Sequence, residues 1–306
     1  MEEQTEADVL ICEDCPAVPT ISRRRLNGLP ALLAISFLVA GLPSCAWAQD
    51  ASTAGGHADV AAQAGSDAPQ GPMNFIAVGV GVAPKYPGAK SYSPVPFIAA
   101  DITGKGVEIS MRGPNIRANL LGDSAFSIGP VAGLNFGRSQ SDGGVARNLP
   151  KISDEIDLGG YAAYRFGGNE RGQGQLELEV TALRDVSHTS NGFTVNGDVS
   201  YILLRSFRWS LGADANLTYA SSRTLRTYFG ITPASALASG LIPYSPTGGV
   251  RDVGGGLTAG YQFNRRWGVI SRFGYNYLVG DAAKSPIVKA GSRGQLLGGV
   301  ALSYRF

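Results

Sequence analysis

The residues able to do chemistry fall into three groups. Cys12, Cys15 and Cys45 are the chain's three cysteines, all within the first 45 of 306 positions. The Cys12-x-x-Cys15 spacing suits a thiolate metal site or a redox pair, but no second pair follows to complete a four-thiolate centre. The second group is Asp185, Ser187, His188 and Ser190, which puts an acid, two hydroxyls and an imidazole within six positions. Asp198 and Asp214 could lend a further acid. A triad requires three side chains aligned in space, which closeness in sequence does not provide, so a polar loop is the expected reading. The other histidine is His57. No catalytic, cofactor-binding or metal-binding residue is expected, and the chain does not read as an enzyme. The third group is the largest: Glu108, Arg112, Arg117, Asp157, Arg165, Glu177, Glu179, Asp198, Arg208, Asp214, Asp252, Arg272 and Arg305. These charges carry both signs, and apolar side chains flank most of them.

The elements that must carry these charges have a period of two. Ile76, Val78, Val80 and Val82 share one face, and Ala77, Gly79 and Gly81 the other. Phe207, Trp209, Leu211, Ala213, Ala215, Leu217 and Tyr219 oppose Arg208, Ser210, Gly212, Asp214, Asn216 and Thr218. Aromatic residues at both ends of an aliphatic stretch mark a strand that faces lipid. The pattern predicts an all-β fold, a closed antiparallel transmembrane β-barrel of the outer-membrane type. It has about twelve strands, at roughly 74–83, 93–102, 105–112, 115–121, 124–137, 155–166, 174–185, 192–203, 207–220, 251–263, 267–279 and 295–306.

A soluble β-sandwich would alternate too, but many of these strands exceed the usual five or six residues and suit a tilted crossing of about 25 Å of hydrocarbon. No amphipathic helix is expected to cover an apolar face. Connections after strands two, four, eight and ten are tight, and those after one, five, nine and eleven are longer. Gly113-Pro114 is the short exception. Both termini are then periplasmic and the long loops face outward. An open edge in lipid would strand its amides, so the first strand should pair with the last.

The thirteen charges should then face the lumen. Mixed signs allow pairing that braces a nearly blocked interior, or a narrow polar pore with opposed walls; the sequence leaves both open. The stretch 220–250 is too apolar for a free outer loop and is expected to fold into the barrel mouth or onto a neighbour, with Tyr228, Phe229, Ile231 and Tyr244 as the mouth candidates.

Composition agrees. The 42 glycines are about twice the ordinary share of roughly 7% and lack a three-residue period. The net charge of +2 is dispersed, which argues against a nucleic-acid partner. Arg23, Arg24 and Arg25, the apolar run Leu29 to Leu42, and Ala46-Trp47-Ala48 predict a signal peptide over 1–48, with an atypical extension before the arginines. An uncleaved inner-membrane anchor and lipidation at Cys45 are the alternatives, the latter poorly served by Pro43. Residues 49–72 read as a flexible periplasmic tail and 73–306 as the barrel.

The chain also resembles a known family. Val80-Gly81-Val82-Ala83-Pro84-Lys85-Tyr86-Pro87-Gly88, Pro94-Val95-Pro96 and Tyr228-Phe229-Gly230-Ile231-Thr232 are similar to segments of the MipA/OmpV family of outer-membrane proteins. So are Ala238-Ser239-Gly240, Tyr244, Gly248-Gly249 and Tyr277-Leu278-Val279-Gly280-Asp281-Ala282-Ala283-Lys284-Ser285-Pro286-Ile287-Val288. Thr224-Leu225-Arg226-Thr227 departs from the Tyr-Ser sequence that members commonly carry there. The resemblance implies an outer-membrane address and, from one branch, a scaffold that links a murein hydrolase to a synthase; other members look like porins or adhesins. A narrow porin-like channel is therefore the alternative function. Implied partners are outer-membrane lipid, murein enzymes, and the barrel assembly machinery through the strand ending at Phe306.

Overall fold

The structure is a computed structural model that describes residues 74–306 except 105 and 123. The expected leader and tail lie outside the described residues. The strands are β1 Phe75–Pro84, β2 Tyr92–Gly104, β3 Val107–Arg112, β4 Asn115–Asn119, β5 Phe126–Asn135, β6 Glu155–Gly167, β7 Gln175–Asp185, β8 Phe193–Arg205, β9 Trp209–Ala220, β10 Gly249–Gln262, β11 Trp267–Leu278 and β12 Gly294–Arg305. Each pairs with its sequence neighbour, and β1 closes on β12 with Phe75 opposite Arg305 and Val82 opposite Gly298. Closure leaves no unpaired edge, which is what a sheet in hydrocarbon requires.

Alternation decides what each face meets. Val78, Val80, Leu158, Val180, Leu257, Phe273, Val300 and Leu302 point outward and stay exposed, forming the lipid belt. Aromatic pairs sit near its periplasmic edge: Trp209 with Tyr261 at 4.5 Å, Trp267 with Tyr304 at 4.9 Å and Tyr164 with Phe166 at 5.8 Å. Phe193 and Tyr219, 6.2 Å apart, lie at the other edge. The inward face is filled rather than hollow where small residues let large ones in. Phe75, Ala77, Ala99, Ile270 and Ala301 pack with Phe97. A Cβ on Gly299 would meet the Phe97 ring at 3.0 Å.

The outer loops depart from expectation in one respect. Helices were not anticipated, yet α1 Ser222–Phe229, α2 Pro233–Ser239, α3 Gly280–Lys284 and α4 Pro286–Ala290 form there. Their caps are local: Ser221 accepts from the Thr224 amide, and Thr232 from that of Ser235 with Pro233 in the first turn. These helices are too short for a sequence pattern dominated by strands to reveal. Among the described residues no helix is long and apolar enough to cross a membrane.

Candidate functional site in the lumen and mouth

Ion pairs between strands brace the barrel wall from inside. Arg272 on β11 donates from both terminal nitrogens to Asp214 on β9, at 2.9 and 3.0 Å, and to Thr258 Oγ1 at 2.9 Å. Bidentate geometry makes this the strong form of the interaction. The fork has room because β10 carries Gly256 between the partners: a Cβ there would stand 3.0 Å from Arg272 Nη2 and 3.1 Å from Asp214 Oδ1. Arg117 on β4 donates to Glu179 on β7 and lies over the Tyr161 ring at 4.7 Å. Arg165 pairs with Glu177 at 3.4 Å and donates to Ser127 at 2.8 Å.

The other expected lumen charges range from loosely to closely held. Glu108 accepts from Asn119 at 3.4 Å, and Arg112 faces Asp101 at 3.8 Å. Asp198 is half-buried on β8. Arg305 is buried at the periplasmic end of β12. Asp252 accepts from Arg251. Arg208 stands one residue before β9, which begins at Trp209, and is exposed at the periplasmic rim.

At the outer mouth Asp157 joins two carboxylates that alternation did not single out. Glu155, Asp157 and Asp185 are buried with carboxylate oxygens within 4.8 Å of one another. Glu155 accepts from Tyr228 Oη at 2.9 Å and Ser190 Oγ at 2.8 Å. Asp185 Oδ2 accepts the amides of Ser190 and Asn191, both at 2.7 Å, while Oδ1 accepts from the Ser187 amide and hydroxyl. Asn135 donates to Asp157. Donors already occupy Glu155 and Asp185, so the trio works as a hub tying loop 186–192 and α1 to the barrel wall. His188 does not join it: its φ is 64° and its Nδ1 lies 3.0 Å from Asn191 Oδ1, outside any triad with Asp185 and Ser187.

Above the hub the loops form a cap. Leu225, Tyr228 and Phe229 of α1 pack with Ile152, Leu278, Ala282 and Val288. Ile231 packs with Tyr86, Ala89, Leu149 and Ile287, with Tyr244 partly buried against them. Ile231 and Tyr244 exchange backbone hydrogen bonds, and Tyr244 Oη donates to the Asp281 carbonyl at 2.8 Å. Arg138 donates to the Tyr228 carbonyl at 3.1 Å and Ser285 to that of Phe229 at 2.7 Å. Asp281 accepts from the Thr247 amide and hydroxyl and from Lys284, bonds that hold its carboxyl down at about 2. All four expected mouth residues therefore lie in one assembly of four loops.

A closed cylinder with an apolar exterior, aromatic edges and a charged, braced interior defines an outer-membrane β-barrel with periplasmic termini. The family model for the MltA-interacting protein MipA matches residues 76–306, and the chain belongs to that family. No curated protein matches the chain. Solved structures similar to it include the KdgM porin, at 12% identity over 76% of this chain and 99% of that one with a TM-score of 0.39. An outer membrane channel from Pseudomonas putida F1 follows, at 13% identity over 78% and 97% with a TM-score of 0.42. The translocator domain of the autotransporter NalP from Neisseria meningitidis stands at 13% identity over 78% and 90%, with a TM-score of 0.35.

Proposed function

We propose that this barrel is a capped scaffold of the outer membrane that holds murein-remodelling enzymes at its periplasmic side. The observation that carries this reading is the cap: α1 fixes Leu225 and Phe229, both almost fully buried, over the mouth, and loops from both sides bond to its carbonyls. A solute path would have to dismantle that packing and then pass the Arg272–Asp214 and Arg117–Glu179 braces. Family membership supports a murein enzyme as the partner, with a lytic hydrolase as the first candidate. Affinity isolation of the folded barrel with a murein hydrolase of the MltA type tests this; retention is expected, and absence of retention at micromolar concentrations contradicts it.

The second reading, a narrow channel, is favoured by the mixed charges lining the lumen. It requires conductance through the intact chain. For assembly, the β12 terminus serves as the recognition strand, since Phe306 remains exposed beside the strand end while its amide bonds to Asn74 at 3.2 Å. Phe306→Ala is expected to lower the amount of folded barrel in the outer membrane, with unchanged levels arguing against that role.

A further inference from the structure

At the periplasmic end of the lumen two buried arginines stand without a carboxylate partner among the described residues, although Asp101 and Glu108 lie at that end on β2 and β3. Arg205 ends β8 and Arg305 ends β12, and both are more than nine-tenths buried. Arg205 donates from Nη1 to the Arg171 carbonyl at 3.2 Å, but its Nε has no acceptor. Arg305 has neither an acceptor for Nε nor one for Nη2. Neither forms an ion pair with a carboxylate among the described residues, while the charge of Arg205 acts on Arg305.

A third donor lies between them along the wall. Gln262 ends β10, is 4% exposed, and its Nε2 has no acceptor. Its side chain lies across β11, where a Cβ on Gly268 would come within 2.1 Å of Gln262 Oε1. Gly268 pairs with Ser303 of β12, two residues before Arg305, so Gln262 leans toward the Arg305 strand.

Guanidinium groups do not shed their proton, and they carry donors only. Burying two of them with unfilled donors is costly unless an acceptor-rich anion meets them. The surrounding rim adds to the field: Arg171, Arg208, Arg265 and Arg266 are exposed in the turns 168–174, 206–208 and 263–266, where Glu170 is the single acid. On this arc of the rim, from β6 to β12, arginines outnumber acids, and such an excess of one sign concentrates ions of the other.

We propose that the periplasmic mouth of the barrel holds an oxyanion-binding site in which Arg205, Gln262 and Arg305 take a carboxylate or phosphate. The site rests on the charges of the lumen and stands whether or not the barrel is a scaffold. A free anion and the carboxylates of murein peptides share this chemistry.

Folded full chain, isolated from outer membranes in detergent, would be titrated calorimetrically with inorganic phosphate and with succinate, and sedimented with purified murein sacculi. Saturable binding with one anion per barrel is expected. Arg305→Gln and Arg205→Gln should each weaken it about tenfold or more while the barrel keeps its heat-modifiable migration. Sacculi that carry down the wild-type barrel but not these variants identify murein as the source; binding of the small ions alone identifies a free anion. Absence of saturable binding to phosphate, succinate and sacculi in the wild-type chain overturns the proposal, and so does equal binding by the folded variants. The wild-type titration decides the matter if a variant does not fold.

Discussion

Asp214 and Arg272 show what a charge needs inside the cylinder. Their side chains are almost fully enclosed, and each supplies the other's counter-charge. Removing one partner strands the other, so Asp214→Ala should cost about 3–5 kcal/mol, whereas the double change Asp214→Ala with Arg272→Met should recover much of it. Urea unfolding in detergent measures both, and additive losses would contradict the pairing. Asp281 makes a different prediction at the same scale. Its folded pKa, about 2, lies below the unfolded value near 3.9, so its contribution is full above that range and is lost as pH falls through the folded value. Pepsin should therefore cut the 240–248 segment faster at pH 2 than at pH 4, relative to a cut elsewhere in the same chain. In Asp281→Asn that extra sensitivity at low pH should vanish.

Elements explain which residues the sequence exposed to reading and which it hid. Every strand end falls within two residues of the alternation pattern, because lipid on one side and a polar interior on the other tolerate no register slip. Glu177, Glu179, Asp214 and Arg272 were legible for that reason. Bulges hide the others. On β8 the register shifts between Ile202 and Leu204, so Leu203 and Leu204 both face out and Arg205 turns in. On β10 the shift between Val250 and Asp252 buries Arg251 beside Asp252. A bulge adds one unpaired residue and reverses the alternation beyond it, which no period-two count anticipates. Arg208 is exposed because β9 begins one residue after it, at Trp209. Glu155 had a signal, standing two residues before Asp157 on the same face. The α1 helix was hidden too, but its effect is testable. Phe229→Ala should cost the cap about 3–5 kcal/mol and open the outer loops to external protease while the barrel still resists SDS at room temperature. Unchanged protease sensitivity would show that α1 does not hold the cap.

For the whole molecule, closure and capping are separate claims. Closure predicts that Cys introduced at Ala77 and Ser303, directly opposed on β1 and β12, form a disulfide. Opposed antiparallel residues stand about 4.5–5.5 Å apart, within disulfide range. A faster-migrating, reductant-sensitive form on a denaturing gel would report it; its absence under oxidant would mean the cylinder is open there. Capping bears on function, because a scaffold needs only a stable wall and a periplasmic face, while a channel needs a path. The deciding measurement is planar-bilayer recording of the folded full chain, with and without shortening of the 221–248 loop. The capped scaffold predicts no steady conductance from the intact barrel. A steady ohmic conductance that rises when that loop is shortened would contradict it.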